Sequence, residues 1–156
     1  MNVTIRQANV ADVPAICSLS QSLFEHERQF TDEYDMGWSH GKAGKAFFTR
    51  RLKSPSSFIL LAVDGDKPVG YALVKLDKFS WRSFNPVADI NNLSVDPAYR
   101  GQGVGARLIE EAKQVAKKRG ARRMTVQAQH KNERALKFYR TQGFTDSDVA
   151  LLMNLE

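Results

Sequence analysis

The stretch YRGQGVGARL places three glycines at every second position, Gly101, Gly103 and Gly105, with Arg100 directly before the first. Helices and strands both disfavour glycine in their interiors, so this spacing indicates a turn that something approaches closely. The stretch lies between a predicted strand that ends near Val95 and a predicted helix. The backbone N–H groups that begin a helix are unpaired and lie at the positive end of its dipole. We therefore predict an anion site here, with a merely tight turn as the alternative.

The nature of the anion can be narrowed by what the glycine stretch lacks. GQGVGA fits the dinucleotide pattern G-x-G-x-x-G/A, but the acidic residue expected about 20 residues further on is absent, since RMTVQAQ offers only glutamines. Roughly 50 residues remain after the loop, too few for the rest of a doubly wound domain. No Gly-Lys-Ser/Thr follows, which excludes a Walker A loop. The loop therefore indicates a phosphate-bearing ligand. It is neither a nicotinamide or flavin dinucleotide nor a nucleoside triphosphate bound in a P-loop.

Length and composition restrict the class of protein. The chain has 156 residues, 42% of them hydrophobic and 26% charged, which fits one globular domain over residues 1–156. No apolar run approaches the ~20 residues that span a membrane, and the start lacks a signal-peptide pattern. The single cysteine excludes an intramolecular disulfide and a cysteine-rich zinc site. We expect a cytoplasmic protein without a metal, and the net charge of +6 suits an anionic ligand.

The hydrophobic periodicity predicts alternating strands and helices that position the glycine stretch. Strands are predicted at 3–8, in a hairpin over 57–76, at 88–97, at RMTVQAQ and at VALLMNL near the end; helices are predicted after Asn9, up to 47–52, from Val104 to Gly120, and at 132–143. The order β-α-α-β-β-β-α-β-α-β describes a mixed α/β (α+β) sandwich around one sheet.

Two sequence motifs resemble the GNAT superfamily of N-acetyltransferases. LSVDPAYRGQGVGARLIEEA is similar to its acetyl-CoA motif, whose core Gln/Arg-x-x-Gly-x-Gly/Ala is matched by Arg100, Gly103 and Gly105. NERALKFYRTQGF is similar to its second motif, through Asn132, Ala135, Phe138, Tyr139, Gly143 and Phe144. Both motifs occur in the right order, so the resemblance covers nearly the whole chain.

The resemblance implies how acetyl-CoA would be bound. It implies a mixed, mostly antiparallel sheet with helices on both faces, splayed at the strand before the glycine loop. The pantetheine arm would insert at the splay and bond to the backbone of Leu93, Ser94 and Val95, with an N–H near Leu93 polarising the thioester carbonyl. The pyrophosphate would be held by the backbone N–H groups of Arg100, Gly101, Gln102, Gly103, Val104, Gly105 and Ala106. Asn132 would contact the pantetheine, and Tyr139 would act near the sulfur as general acid; a core aromatic is the alternative for Tyr139.

The reaction implied is direct attack of an amine on acetyl-CoA, without a metal. An alkylamine with a pKa near ~10.4 is mostly protonated at neutral pH, so a general base is expected. Asp89 lies four residues before Leu93, which predicts the same strand face, and it aligns with a carboxylate that some relatives use as base. Asn91 stands where other relatives carry a glutamate and cannot serve. Gln127 replaces the glutamate of the branch that acetylates ribosomal-protein N-termini, which counts against that branch.

The chemical class of the amine that would receive the acetyl group is indicated only by the charge of one segment. Residues 25–35 (EHERQFTDEYD) hold five of the seventeen acids, and an acidic rim would concentrate a small, even polycationic, amine. Trp38, Phe79, Trp81 and Phe84 are candidates for the apolar part of that pocket. The basic cluster KKRGARR is expected to be a solvated face, with the 3′-phosphate of the ligand as the alternative.

Alternatives to this function are a non-catalytic CoA-binding module and an acetyltransferase for protein lysines or N-termini. Nucleic acid is not an expected partner, because the basic net charge is the only feature of the sequence that suggests it. Dimers are common among similar proteins, so we expect a homodimer.

Overall fold

The computed structural model describes residues 1–156, and one five-stranded sheet organises them. The strands are β1 (Val3–Gln7), β2 (Ser57–Asp64), β3 (Lys67–Asp77), β4 (Val87–Val95) and β5 (Arg123–Val126). The helices are α1 (Val13–Glu27), α2 (Lys42–Lys53), α3 (Val104–Lys118) and α4 (Glu133–Thr141), with short 3₁₀ turns at Val10–Asp12 and Pro97–Tyr99. No helix combines the length and the apolar character that a membrane crossing requires.

The strands lie in the sheet in chain order, and four of them are antiparallel. β1, β2, β3 and β4 pair antiparallel, and β5 pairs parallel to β4. The β2–β3 hairpin turns at Gly65, whose φ of +60° suits glycine. A parallel neighbour requires a crossover, which the chain makes through α3. The predicted fold class, a mixed and mostly antiparallel α/β sandwich, is confirmed.

Helices cover both faces of the sheet and create two cores. The central strands β2 and β3 are buried on both faces, which explains their almost uninterrupted apolar sequence. Ile59, Leu61 and Val63 point to the core under α1 and α2, whereas Phe58 and Leu60 point to the core under α3. We call these the α1/α2 face and the α3/α4 face of the sheet.

β4 and β5 separate halfway along β4. Their pairing runs only over Val87–Ile90 and Arg123–Val126, whereas β4 continues to Val95 against β3. The part of β4 beyond Ile90 therefore has no strand on its β5 side. This is the splay expected before the glycine loop.

A β-bulge at Asn91 changes which face β4 presents to each layer. Leu73 pairs with Asn92 and Val74 pairs with Ile90, which leaves Asn91 without a partner. One extra residue inverts the alternation of side chains after it. The prediction that Asp89 and Leu93 share a face is therefore wrong: Leu93 packs on the α3/α4 core, and Asp89 points to the α1/α2 face.

The last predicted strand does not form within the chain. The element order agrees with the prediction through α4, but VALLMNL carries no secondary structure, and every residue from 145 to 156 is exposed. The sequence alternates as a strand should, but a strand needs a neighbour for its backbone hydrogen bonds. No other strand of the chain lies beside this stretch.

Candidate active site

The glycines between β4 and α3 serve two physical purposes. Gly101 and Gly103 have φ of +72° and +82°, the left-handed region that favours glycine, and a Cβ atom there would meet nothing within 4 Å. Gly105 is helical, and a Cβ atom there would lie 3.1 Å from the Phe138 ring. The first two glycines therefore shape a turn whose outer side is open. The third lets α3 approach α4, a role that the sequence did not indicate.

The glycine loop presents a row of unpaired donors. The backbone N–H groups of Gly101, Gln102, Gly103, Val104, Gly105 and Ala106 have no protein acceptor. The N-cap, Gly103, supplies no side-chain cap either. The Arg100 N–H is already donated to Pro97 O at 3.4 Å, so the free row starts one residue later than predicted. Six free donors at the positive end of a helix are suited to bind an anion.

Arg100 joins this site to the splayed strand. Its Nε donates to Val95 O at 3.0 Å, and its Nη1 lies 3.4 Å from His26 Nδ1. Burial, and then the nearby charge of Arg134, lowers the pKa of Arg100. Neither arginine forms an ion pair within 4.0 Å with a carboxylate. The charges of Asp96 and Glu27 act on Arg100 more weakly than that of Arg134, so the two arginines favour a negatively charged ligand nearby.

The strand before the loop is tied down on the α1/α2 face. Ser94 is buried, and its hydroxyl donates to Leu19 O of α1 at 2.9 Å. Leu93 and Val95 pack on the α3/α4 core. Helix and core thus hold β4 in place, although it has no β5 neighbour in this part.

Tyr139 of α4 carries a free hydroxyl. The ring packs beside Phe138 and Phe144, at centroid distances of 5.3 and 5.9 Å. The hydroxyl forms no hydrogen bond within the protein, and it is not fully enclosed by other atoms. Burial, and then the negative charge of Glu27, raises the pKa of Tyr139 to about 12. The hydroxyl is therefore protonated at neutral pH and available as a donor.

Asn132 begins α4 and connects it to α1. Its Oδ1 accepts from Ala135 N at 3.1 Å, which is an N-cap, and its Nδ2 donates to Glu27 Oε1 at 3.0 Å. The charge of Glu27 also contributes, after burial, to raising the pKa of Tyr34. Glu27 thus lies within electrostatic range of both Tyr34 and Tyr139. The sequence placed Glu27 only in a generally acidic stretch.

A cavity of about 310 Å³ opens on the α1/α2 face beside the bulge of β4. It is lined by four aromatic rings, one carboxylate, three amides and one aliphatic side chain, and by no basic residue: Phe24, Tyr34, Trp38, Phe47, Asp89, Ile90, Asn91, Asn92 and Gln127. Phe24 stacks on Tyr34 with ring centroids 4.4 Å apart, and it lies 5.8 Å from Trp38. A larger depression of about 690 Å³ follows the exposed side of α4, where Leu136 is the one hydrophobic residue of its lining.

Asp89 is the one acid of the aromatic cavity. Its Oδ1 accepts from the Thr125 hydroxyl at 2.7 Å, and its Oδ2 accepts from Asn91 Nδ2 at 2.6 Å. These two bonds orient the carboxylate, which has further lone pairs for a third partner. The bulge lies between Asp89 and Leu93, so Asp89 faces the cavity whereas Leu93 faces the opposite core.

Three aromatic residues predicted for the pocket lie elsewhere. Phe79 and Trp81 are exposed in the β3–β4 connection, where Arg82 stacks on both rings. Phe84 carries Arg123 over its ring at 4.2 Å. Only Trp38 of the predicted set lines the cavity. The sequence could not show that Phe24, Tyr34 and Phe47 join it, because their contacts are made across the fold.

The basic cluster KKRGARR lies at the far end of α3. That helix has 15 residues, so the cluster is about 22 Å from the glycine loop along its axis. Arg119 stacks over Phe58, and Arg122 stacks over Phe84. These contacts favour the predicted solvated face over a role at the loop.

Comparisons with known proteins agree with this geometry. Residues 15–144 match the acetyltransferase (GNAT) family. The uncharacterized N-acetyltransferase YhfO of Bacillus subtilis is 31% identical over 144 residues, which cover 92% of this chain and 91% of that protein. Thialysine N-epsilon-acetyltransferase of Bos taurus is 27% identical over 147 residues, 92% and 85% of the two chains. The fold is similar to that of AAC(6')-Iy, solved with a bisubstrate analog, CoA-S-monomethyl-acetylneamine, with a TM-score of 0.77, 18% identity, and 100% and 99% coverage.

Proposed function

The chain belongs to the acetyltransferase (GNAT) family of acyl-CoA N-acyltransferases, and we propose that it moves the acetyl group of acetyl-CoA to a primary amine of a small cationic molecule. The observation that carries the substrate class is the cavity beside β4, in which four aromatic rings and a single carboxylate occur without any basic side chain. Aromatic faces and a carboxylate attract a cation and disfavour an anion.

The acyl donor fits the unpaired groups around the glycine loop. The six free N–H groups from Gly101 to Ala106 would hold the pyrophosphate, with Arg100 as a charged donor beside them. The side of β4 from Leu93 to Val95 that lacks a strand neighbour would bond to the pantetheine arm at the splay, and Val95 O would be shared with Arg100 Nε. When bound there, acetyl-CoA supplies an activated acetyl group.

Asn132 is committed to other partners in this structure. Its side chain already bonds to Ala135 N and to Glu27, so its contact with the pantetheine would require it to give up Glu27 or to share its second amide hydrogen. We propose that Asn132 keeps α4 and Glu27 in place beside the pantetheine arm. In this role Asn132 would affect acetyl-CoA at the mouth of the site through the positions of α4 and Glu27.

The acceptor amine must lose a proton. An alkylamine with a pKa near ~10.4 is neutral in about one molecule per few thousand at pH 7, which corresponds to roughly 4–5 kcal/mol. Asp89 is held in the cavity by Thr125 and Asn91, and we propose that it accepts this proton directly or through water. Glu27 adds a second negative charge on the side of Tyr34 and favours the cationic form in the approach to the cavity.

The leaving thiolate must gain a proton. Tyr139 has a hydroxyl without a protein partner and a pKa raised by burial and by Glu27 to about 12, so it is a neutral donor throughout the physiological range. We propose that this hydroxyl donates to the sulfur. The rings of Phe138 and Phe144 keep it in place.

A panel of amines tests the proposed function. Thiol release from acetyl-CoA would be followed with polyamines, aminoglycosides, thialysine and neutral aromatic amines, together with peptides that carry a free N-terminus or an internal lysine. Small cationic amines should give the highest kcat/KM. Preference for peptides would show that the chain acts on proteins, and binding of acetyl-CoA without thiol release for any amine would indicate the non-catalytic module.

A further inference from the structure

One end of the sheet collects nearly half of the basic side chains. Three chain segments form it, residues 50–57, 75–87 and 117–123, and we call them the cationic end. They include 11 of the 23 lysines and arginines and one of the 17 acids, Asp77. The rest of the chain therefore holds 12 basic side chains against 16 acidic ones. The net charge of +6 thus arises from one strongly positive end and a negative remainder.

Contacts across the fold bring the three segments together. The Ser57 hydroxyl at the start of β2 donates to Arg51 O at 2.7 Å, and Ser57 O accepts from Arg119 Nη1 at 3.4 Å. Val87, the first residue of β4, pairs with Arg123, the first residue of β5. The ends of α2 and α3 and the starts of β2, β4 and β5 therefore lie at the same end of the molecule.

The charges of the cationic end are not neutralised within the chain. Lys75 lies 3.4 Å from Asp77, and none of the other ten basic side chains forms an ion pair within 4.0 Å. Like charges that gather without counter-ions repel one another and destabilise the folded chain. An anionic partner would relieve this repulsion.

The connection between β3 and β4 adds three exposed aromatic rings to the cationic end. Trp81 is 75% exposed, and Phe79 and Phe84 are 39% and 38% exposed. The Asn85 side chain holds this connection in shape, because it donates to Phe79 O at 2.8 Å and to Arg82 O at 2.7 Å and accepts from Phe79 N at 3.1 Å. Trp81 therefore projects from a loop with a built internal structure.

Each of the three rings lies beside a guanidinium group. Arg82 lies 5.1 Å from the centre of the Trp81 ring and 4.6 Å from that of Phe79, and Arg123 lies 4.2 Å from that of Phe84. Exposed aromatic rings among cations are typical of proteins that bind the surface of an anionic membrane. The ring enters the headgroup region, and the cations meet the lipid phosphates.

Single-stranded nucleic acid is the other polyanion that such residues bind. It stacks its bases on free ring faces along a positively charged groove. Here every ring already carries a guanidinium on a face, and no residue of the cationic end lines the cavity of about 310 Å³ or the depression of about 690 Å³. The geometry therefore favours a lipid surface.

We propose that the cationic end docks on an anionic lipid surface, with Trp81 in the headgroup region and the surrounding lysines and arginines on the lipid phosphates. Each basic side chain near such a surface adds to the affinity. Stable attachment requires a second signal besides the charge, and the Trp81 ring supplies it.

Docking in this orientation leaves the candidate active site accessible. The glycine loop precedes α3, whereas the cationic end includes the last residues of that helix, about 22 Å away along its axis. The glycine loop therefore stays on the side of the molecule that faces away from the lipid.

Co-sedimentation with lipid vesicles gives the first test. The full chain should bind vesicles of one third phosphatidylglycerol and two thirds phosphatidylcholine, and it should not bind phosphatidylcholine alone. The variant Arg122→Gln/Arg123→Gln should lower the partition coefficient about 30-fold. The matched control Lys42→Gln/Lys45→Gln removes the same charge from the first turn of α2 and should retain most of the binding. Equal losses in the two variants would overturn the proposal, because net charge alone would then explain the binding.

The environment of Trp81 gives a second test, which net charge cannot mimic. In a Trp38→Phe chain Trp81 is the only tryptophan, and the anionic vesicles should shift its emission to the blue and brominated lipids should quench it. Trp81→Ala should lower the partition coefficient about tenfold, whereas Trp81→Phe should retain most of the binding. An emission that neither shifts nor is quenched would refute the insertion of the ring. Binding to poly-uridine RNA without binding to vesicles would assign the cationic end to nucleic acid, and the proposal would be wrong.

Discussion

Replacing Tyr139 by phenylalanine should separate catalysis from folding. The substitution removes a hydroxyl that has no protein partner and keeps a ring that packs beside Phe138 and Phe144. No buried group is left unsatisfied, so the free energy of unfolding should change by less than about 0.5 kcal/mol. Turnover should fall ~10²-fold, the usual effect of losing a general acid, which corresponds to about 2.7 kcal/mol in the activation barrier.

The raised pKa of Tyr139 gives this prediction a pH dependence. With a pKa of about 12, the hydroxyl stays protonated well past the pH at which a solvent-exposed tyrosine ionises. The natural chain should therefore show no loss of kcat from this group between about pH 7 and pH 10. The Tyr139→Phe variant should have the same profile at a lower level. A descending limb near pH 10 that the variant lacks would show that burial does not hold the proton as we infer.

Tyr99→Phe is a matched control, because that hydroxyl has a partner and lies outside the proposed chemistry. Tyr99 donates to Asp64 at 2.9 Å. Its loss should lower the melting temperature and leave kcat unchanged, the reverse of the pattern at Tyr139. The assays are thiol release for kcat, calorimetric titration for acetyl-CoA affinity and circular dichroism for thermal unfolding. If Tyr139→Phe turns over at the natural rate, the hydroxyl is not the acid and the tyrosine only packs.

Three further substitutions test the other parts of the site. Gly103→Val and Gly65→Val should each lose about 1–2 kcal/mol of stability, because both glycines have positive φ and open space around them. Only Gly103→Val should also lose affinity for acetyl-CoA, measured by calorimetry. If the two variants bind acetyl-CoA equally well, the glycine loop is purely structural. Asp89→Asn should lower kcat and make it rise more steeply with pH as the amine deprotonates unaided, and an unchanged profile would place the base elsewhere. Trp38→Ala should raise the KM of a cationic amine roughly 10-fold and leave that of acetyl-CoA unaltered, and a neutral amine affected equally would argue against cation recognition by the ring.

Local patterns along the sequence predicted most of the elements. The hairpin around Gly65 and the helix ends near Gly120 and Gly143 were predicted correctly, and all three glycines have positive φ. These features depend on the conformational freedom of single residues, which the sequence states directly. The final strand was predicted from its apolar alternation instead and did not form, because a strand needs a neighbouring strand for its backbone hydrogen bonds.

The part of the candidate site proposed for acetyl-CoA could be predicted from the sequence, and the part proposed for the acceptor amine could not. The glycine loop and Tyr139 lie in contiguous motifs whose spacing is visible in the chain. The acceptor cavity combines Phe24, Trp38 and Asp89 from separate elements, and its aromatic lining had no local signal. Phe79 and Trp81 have the same residue types and lie on the outer surface instead.

The sequence by itself determined the row of unpaired N–H groups in the glycine loop, because six consecutive N–H groups at a glycine-rich helix start depend only on local backbone geometry. Only the tertiary structure decided which way β4 points its side chains. A single unpaired residue, Asn91, reverses the alternation and sends Asp89 into the aromatic cavity and Leu93 into the opposite core. A bulge is set by how two strands pair, and the sequence of one strand does not contain that information.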